Sequence, residues 1–280
     1  MNLDELRNYP FPERTQTYTE RDSILYALGL GYGAEPNDAR HLRFILEDRL
    51  VTVPSLCNVI AQPFMWVKEP RFALNWIKLL HGEQSFEVHQ PLPPAGSLTS
   101  RCKVLSVEDK GEGRGAVIHF EKTLYDPANT LMASIRSAYF LRGDGGKGGF
   151  GDHPAPPAAI PERQPDRAIA IATLPQSALI YRLSGDVNPI HADPEAARKA
   201  GFERPILHGL CTLGVATRAA IEAYADDAPE RLTGLSLRFS RPVYPGETIV
   251  TEFFETGDTI QFRARVGDVV VLDRGTIRLK

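Results

Sequence analysis

One arrangement of residues occurs twice in this chain, and it narrows the folds open to it. Pro91-Leu92-Pro93-Pro94-Ala95-Gly96 precedes strand-like runs at Leu98–Val107, Gly115–Tyr125 and Leu131–Leu141. Pro242-Val243-Tyr244-Pro245-Gly246 precedes runs at Thr248–Glu255, Thr259–Val266 and Val269–Leu279. Several runs alternate. Ile260, Phe262, Ala264 and Val266 fall on one side, and Gln261, Arg263 and Arg265 on the other. That period of two marks antiparallel strands with one buried face. A Pro-Gly turn and three strands, repeated at a spacing of about 150 residues, point to a duplicated domain. Two unrelated antiparallel sheets are the alternative.

The boundary between the copies is visible. Gly143 to Pro165 holds a glycine run, Gly143-Asp144-Gly145-Gly146-Lys147-Gly148-Gly149, and then Pro154, Pro156, Pro157, Pro161 and Pro165. Few of its side chains can pack, so it reads as a linker. It divides the chain into an N-terminal unit, 1–142, a linker, 143–165, and a C-terminal unit, 166–280. Only the second unit shows an apolar helix ahead of its strands. Pro205 to Ile221 carries almost no charge before Arg218, as expected of a buried helix. Antiparallel strands around one buried helix give an α+β class.

Composition removes several functions. The net charge is −3 with 24% charged residues, so no basic stripe follows a nucleic-acid backbone. Cys57, Cys102 and Cys211 are odd in number and far apart, giving neither a zinc spacing nor a disulfide framework. Met1 to Pro12 has no apolar signal core, and no run approaches the ~18 apolar residues of a membrane helix. A cytoplasmic protein is the expectation. A Gly-x-Ser-x-Gly elbow, a P-loop and a dinucleotide fingerprint are all missing from the sequence.

The chemistry concentrates between Tyr181 and Ala197. Gly185, Asn188 and Pro189 break regular structure, placing Asp186 to His191 on a tight loop. Asp193 suits an N-cap and Pro194 the first position of a short helix that Gly201 can end. Asn188 can bond nearby backbone and fix the loop. An Asp and a His held together can share a water in general acid–base catalysis. For an isolated Asp and His at this spacing, a turn cap and a packed imidazole are the commoner reading.

The longer string is more specific. Tyr-x-Leu-Ser-Gly-Asp-x-Asn-Pro-Ile-His-x₅-Ala at Tyr181–Ala197 resembles the hydratase 2 motif of the MaoC-like hot-dog family. Gly201–Cys211 and Leu237–Glu247 continue the likeness. The first unit resembles the N-terminal hot-dog of the hydratase 2 unit of peroxisomal multifunctional enzyme type 2. It does so through Tyr18–Asp22, Tyr26–Gly29, Leu80–Gln84 and the Pro91–Gly96 turn.

The resemblance implies a double hot-dog fold, two antiparallel sheets each with a hot-dog helix, the N-terminal helix degraded. Val51–Met65, with Pro54 and Pro63, agrees with such a loss, while Pro70–Leu80 could be helical. It also implies reversible hydration of a trans-2-enoyl-CoA to a (3R)-3-hydroxyacyl-CoA, of medium or long chain, without metal or cofactor.

Asp186 and His191 would hold the water. The Gly209 N–H, at the head of the buried helix, would stabilise the developing enolate. His81, Gly82, Lys110, Asn188 and Phe239 fall where the family touches acyl-CoA, and Arg241 is a further phosphate candidate. The partner is the acyl-CoA substrate, with a homodimer favoured by the resemblance. Alternatives are a thioesterase, a hydratase for a dicarboxylic, branched or steroid side-chain substrate, and a non-catalytic acyl-CoA binding subunit. The intact Asp/His loop argues against the first and the last.

Overall fold

A computed structural model describes residues 1–63 and 65–280. In the first half the elements are α1 (Leu3–Asn8), β1 (Arg14–Tyr18), α2 (Glu20–Gly29), α3 (Ala39–Leu42), β2 (Leu79–Val88), β3 (Gly96–Asp109), β4 (Ala116–Tyr125) and β5 (Leu131–Leu141). In the second half they are β6 (Arg167–Ala172), α4 (Ser177–Tyr181), α5 (Pro194–Lys199), α6 (Gly209–Tyr224), β7 (Leu232–Phe239), β8 (Thr248–Thr256), β9 (Thr259–Val266) and β10 (Val269–Leu279).

The strands lie in the order β1-β3-β4-β5-β2-β7-β10-β9-β8-β6. Outward from the centre, the first half runs second, fifth, fourth, third, first of its five strands, and so does the second half. The halves therefore share one topology, as the repeated Pro-Gly pattern indicates. The α+β double hot-dog is present, with its two expected sheets continuous as one of ten strands. They join where β2 pairs antiparallel with β7, from Glu83 opposite Arg238 to Glu87 opposite Gly234. Ser85 faces Ser236 at the middle of this seam. Pairing removes two edges that would otherwise expose unpaired N–H and C=O groups.

The inner face wraps α6. Every residue from Cys211 to Ile221 is buried. Its small residues, Gly214, Ala216, Ala219 and Ala220, let other elements come close, and a Cβ on Gly214 would meet Leu30 Cδ2 at 2.4 Å. The corresponding place in the first half holds only a 3-10 turn, Pro54–Asn58, and all five of its residues are buried. Pro70–Leu80 forms two further 3-10 turns, Pro70–Phe72 and Trp76–Lys78, rather than a longer helix. Ala73 adopts a left-handed φ of 48° between them, which stops helical propagation.

The segment 143–165 lies across the outer face of the sheet instead of swinging free. Its glycines pack on backbone: a Cβ on Gly145 or Gly149 would fall 2.1 Å from the carbonyl oxygen of Gly111 or Val107. The Asp109 carboxylate accepts from the N–H groups of Gly146 and Gly148, both at 2.7 Å. Farther on, Arg274 donates to the Pro157 carbonyl and Gln261 to that of Ala159. Arg163 covers the ring of Phe254. The strap thus runs from β3 in the first half to β8–β10 in the second.

Candidate active site

The loop after α4 is shaped by its own side chains. Gly185 has φ 122°, a conformation costly for any residue with a Cβ. The Asn188 N–H donates to Asp186 Oδ1 at 3.1 Å, and Asn188 Oδ1 accepts from the Ile190 N–H at 3.4 Å. Pro189–His191 then form one 3-10 turn. Asp193 caps α5 by accepting from the Glu195 N–H at 2.8 Å, and Gly201 follows that helix with φ 89°.

His191 is 7% exposed, and its Nδ1 lies 2.9 Å from the carbonyl oxygen of Ile206. A carbonyl only accepts, so Nδ1 carries the proton and Nε2 presents a lone pair. Burial holds the pKa of His191 below the usual imidazole value, partly offset by that hydrogen bond and the nearby Asp186 charge. Its neutral, basic form therefore prevails at neutral pH.

His208, the residue before α6, completes the group. Its ring stacks on His191 at 3.7 Å between centroids, and its Nε2 donates to the backbone carbonyl of Asp186 at 3.0 Å. Burial and the adjacent His191 keep its pKa low. The ligand-type atoms of Asp186, His191 and His208 lie within 4.8 Å of one another. A metal fits poorly, because each imidazole lone pair lies in its ring plane and stacked rings aim theirs side by side rather than at one point.

Gly209 opens α6, so its N–H has no intrahelical acceptor and sits at the positive end of the helix dipole. A Cβ here would meet Phe239 Cε1 at 3.2 Å. Phe239, at the end of β7, lies 4.9 Å from the His81 ring between centroids. His81 is on β2, and Gly82 forms a bulge beside it that interrupts the β2–β5 register. Asp186 contributes electrostatically to His81. Asp186, His191, Asn188, Gly209, Phe239, His81 and Gly82 thus gather at one end of the central seam, from both halves of the chain.

Lys110 lies apart from this group, on the turn between β3 and β4, where its amine pairs with Glu108. Arg241 follows β7 and donates to the carbonyl of Ser240. His208 and Gln84 lie inside the stretches Gly201–Cys211 and Leu80–Gln84 that carry the resemblance but were not singled out as site residues, and Asn58 had no signal at all. His208 had a further cue, its place directly before the glycine that opens the apolar helix.

Known proteins resemble this chain over nearly its whole length. A family described as "MaoC like domain" matches residues 157–274, and "MFE-2 hydratase 2 N-terminal domain" matches residues 16–143. "Enoyl-CoA hydratase 2, peroxisomal" of Arabidopsis thaliana is 36% identical over 285 residues, taking in 95% of this chain and 91% of that protein. "Peroxisomal multifunctional enzyme type 2" of Mus musculus is 37% identical over 94% of this chain, which spans only 37% of the length of that protein. The crystal structure of a MaoC-like dehydratase from Phytophthora capsici superposes with a TM-score of 0.89 at 34% identity, covering 100% of this chain and 98% of that one. With both halves matched and their two-half sheet in place around the Asp186–His191 loop, the chain belongs to the MaoC-like hydratase 2 family.

Proposed function

We propose that this protein adds water reversibly across trans-2-enoyl-CoA thioesters to give (3R)-3-hydroxyacyl-CoA. The observation that carries this reading is the convergence of a neutral imidazole lone pair on His191 with the Asp186 carboxylate, beside the unpaired N–H of Gly209. The names of the relatives support the same reaction.

The residues divide the work as follows. A water between Asp186 and His191 donates hydrogen bonds to the carboxylate and to His191 Nε2. Its oxygen attacks C3 while one of its protons passes to the pair. The pair returns a proton to C2, so the elements of water are added without change of oxidation state. Negative charge gathers on the thioester oxygen during attack, and the Gly209 N–H stabilises it. His208 orients both partners by stacking on His191 and holding the Asp186 carbonyl.

Medium and long acyl chains are the proposed substrates, because the first half has a short 3-10 turn where the second has a sixteen-residue helix. Among the described residues the fully buried side chains offer no free cation for a dicarboxylic substrate, although Arg182 in the site loop keeps a buried Nε without a partner. The buried cations among the described residues, Lys122 and Arg218, are already engaged by carbonyls or by Glu222.

The test is loss of the enoyl-thioester absorbance with crotonyl-CoA and a longer trans-2-enoyl-CoA, followed by chiral analysis. Wild type should form the (R) product, and Asp186→Asn should lose roughly 10²–10⁴-fold in kcat/KM while remaining folded. A folded wild type that hydrates no chain length would refute the assignment.

A further inference from the structure

A file of buried polar groups runs from the first half into the site. Lys122, on β4, donates to three carbonyl oxygens around the end of the Pro54–Asn58 turn, those of Cys57 and Asn58 at 3.0 Å and Ile60 at 2.7 Å. The Asn58 side-chain N–H₂ donates to the Ser55 carbonyl at 2.9 Å, which fixes its amide orientation. Asn58 Oδ1 therefore faces Gln84 and accepts from its Nε2 at 2.7 Å. Gln84 Oε1 is left to accept from Ser137 Oγ at 2.6 Å and to meet His81 Nε2 at 2.9 Å.

Each link has one permitted direction. Because Gln84 Oε1 only accepts, His81 must carry a proton on Nε2. Its Nδ1 is then a lone-pair acceptor. Among the described residues Nδ1 forms no side-chain hydrogen bond, and the His81 side chain is half-buried.

We propose that Gln84 is a positioning residue of this site, fixing His81 as the Nε2–H tautomer so that Nδ1 is presented to substrate as an acceptor. This rests on the acyl-CoA reading above. Close to the thioester, whose carbonyl and sulfur carry no donor, the complementary group on such a substrate is an amide N–H of the pantetheine arm. The first half would thus contribute a directed hydrogen-bond acceptor as well as space.

Two variants and two readouts test this. Nitrogen NMR of the His81 ring in the free protein should show the Nε2–H tautomer in wild type and a mixture in Gln84→Met. The same variant should raise KM for crotonyl-CoA, and Kd for free coenzyme A, by roughly 3- to 10-fold with kcat nearly unchanged.

Gln84→Glu keeps the shape and the acceptor toward His81, gives up the donor to Asn58 and, when ionised, puts a carboxylate beside the ring. The other groups facing His81 are Asp186 from the loop, Tyr139 from β5 and Phe239 from β7, while the neighbouring Glu83 is paired with Arg238. The new charge should raise the pKa of His81, and binding should weaken as pH falls through that value, because protonated Nδ1 becomes a donor. A wild-type Nδ1–H tautomer, or an unchanged His81 titration in Gln84→Glu, overturns the proposal. So does Gln84→Met with wild-type coenzyme A affinity. A wild type without hydratase activity would refute the function alone, since the NMR titration still decides the tautomer.

Discussion

Asp186 and His191 are ordinary residue types made useful by their surroundings. His191 accepts a proton only while neutral, and burial holds its pKa below the usual value near ~6.5. The kcat/KM profile should therefore stay level through neutrality and fall only at more acidic pH. An acid limb at or above the free-imidazole value would show that His191 is not the acceptor. Gly209 has two demands on it, an open N–H toward substrate and a close approach to Phe239. Gly209→Ala should lower kcat/KM about 10-fold by pushing that N–H out of place. Adding Phe239→Leu should restore part of the loss in the same hydration assay. A double variant no better than the single one would show that Phe239 is not the obstacle.

The motif residues were legible because their chemistry and their spacing are local. Asn58 and Lys122 were not, because their meaning lies in contacts across 26 to 65 positions of sequence, and Gln84, though only three positions from His81, takes its orientation from Asn58 far along the chain. Lys122 is the plainest case, since a lysine on a strand usually reaches solvent.

At the scale of elements, Lys122 does for the first half part of what a full helix does for the second. The 3-10 turn and the residues just after it leave carbonyls short of partners in the interior, and a buried ammonium donates to three of them, of which that of Asn58 also accepts from the Gln62 side chain. Burial lowers its pKa to about 8, which still leaves it charged at neutral pH. Lys122→Met should cost about 3 kcal/mol in urea unfolding, because the Cys57 and Ile60 carbonyls would lose the donor that meets them in the interior. A loss below about 1 kcal/mol would mean that water or backbone shifts replace the amine.

The strands differ in how clearly they announce themselves. β5, β9 and β10 have the limits that alternation indicates. β1 is an edge strand with four exposed polar residues, and the Gly82 bulge shifts the phase of β2, so neither shows a clean period. The resemblance implies that the two halves pair, but the strands that join them were hidden, because Leu79–Val88 and Leu232–Phe239 give no sign of pairing with each other.

Across the whole molecule, one apolar core includes Tyr26, Phe86 and Ile135 from the first half and Tyr181, Ile221 and Phe262 from the second. The rings of Tyr26 and Tyr181, on α2 and α4, meet at 5.7 Å between centroids. Such a core should not melt in two steps. Both tryptophans, Trp66 and Trp76, belong to the first half, whereas circular dichroism reports both halves. Their denaturation curves should coincide, and separated midpoints would show that each half is stable alone.

The strap along the outer face makes the pairing of β2 with β7 an intramolecular event. A tether holds its partners at a fixed effective concentration, on the order of millimolar for a short flexible one, however dilute the protein becomes. A site assembled from two separate chains would lose activity on dilution below their dissociation constant. Here turnover per molecule should be independent of dilution, because His81 and Gly209 travel on the same chain.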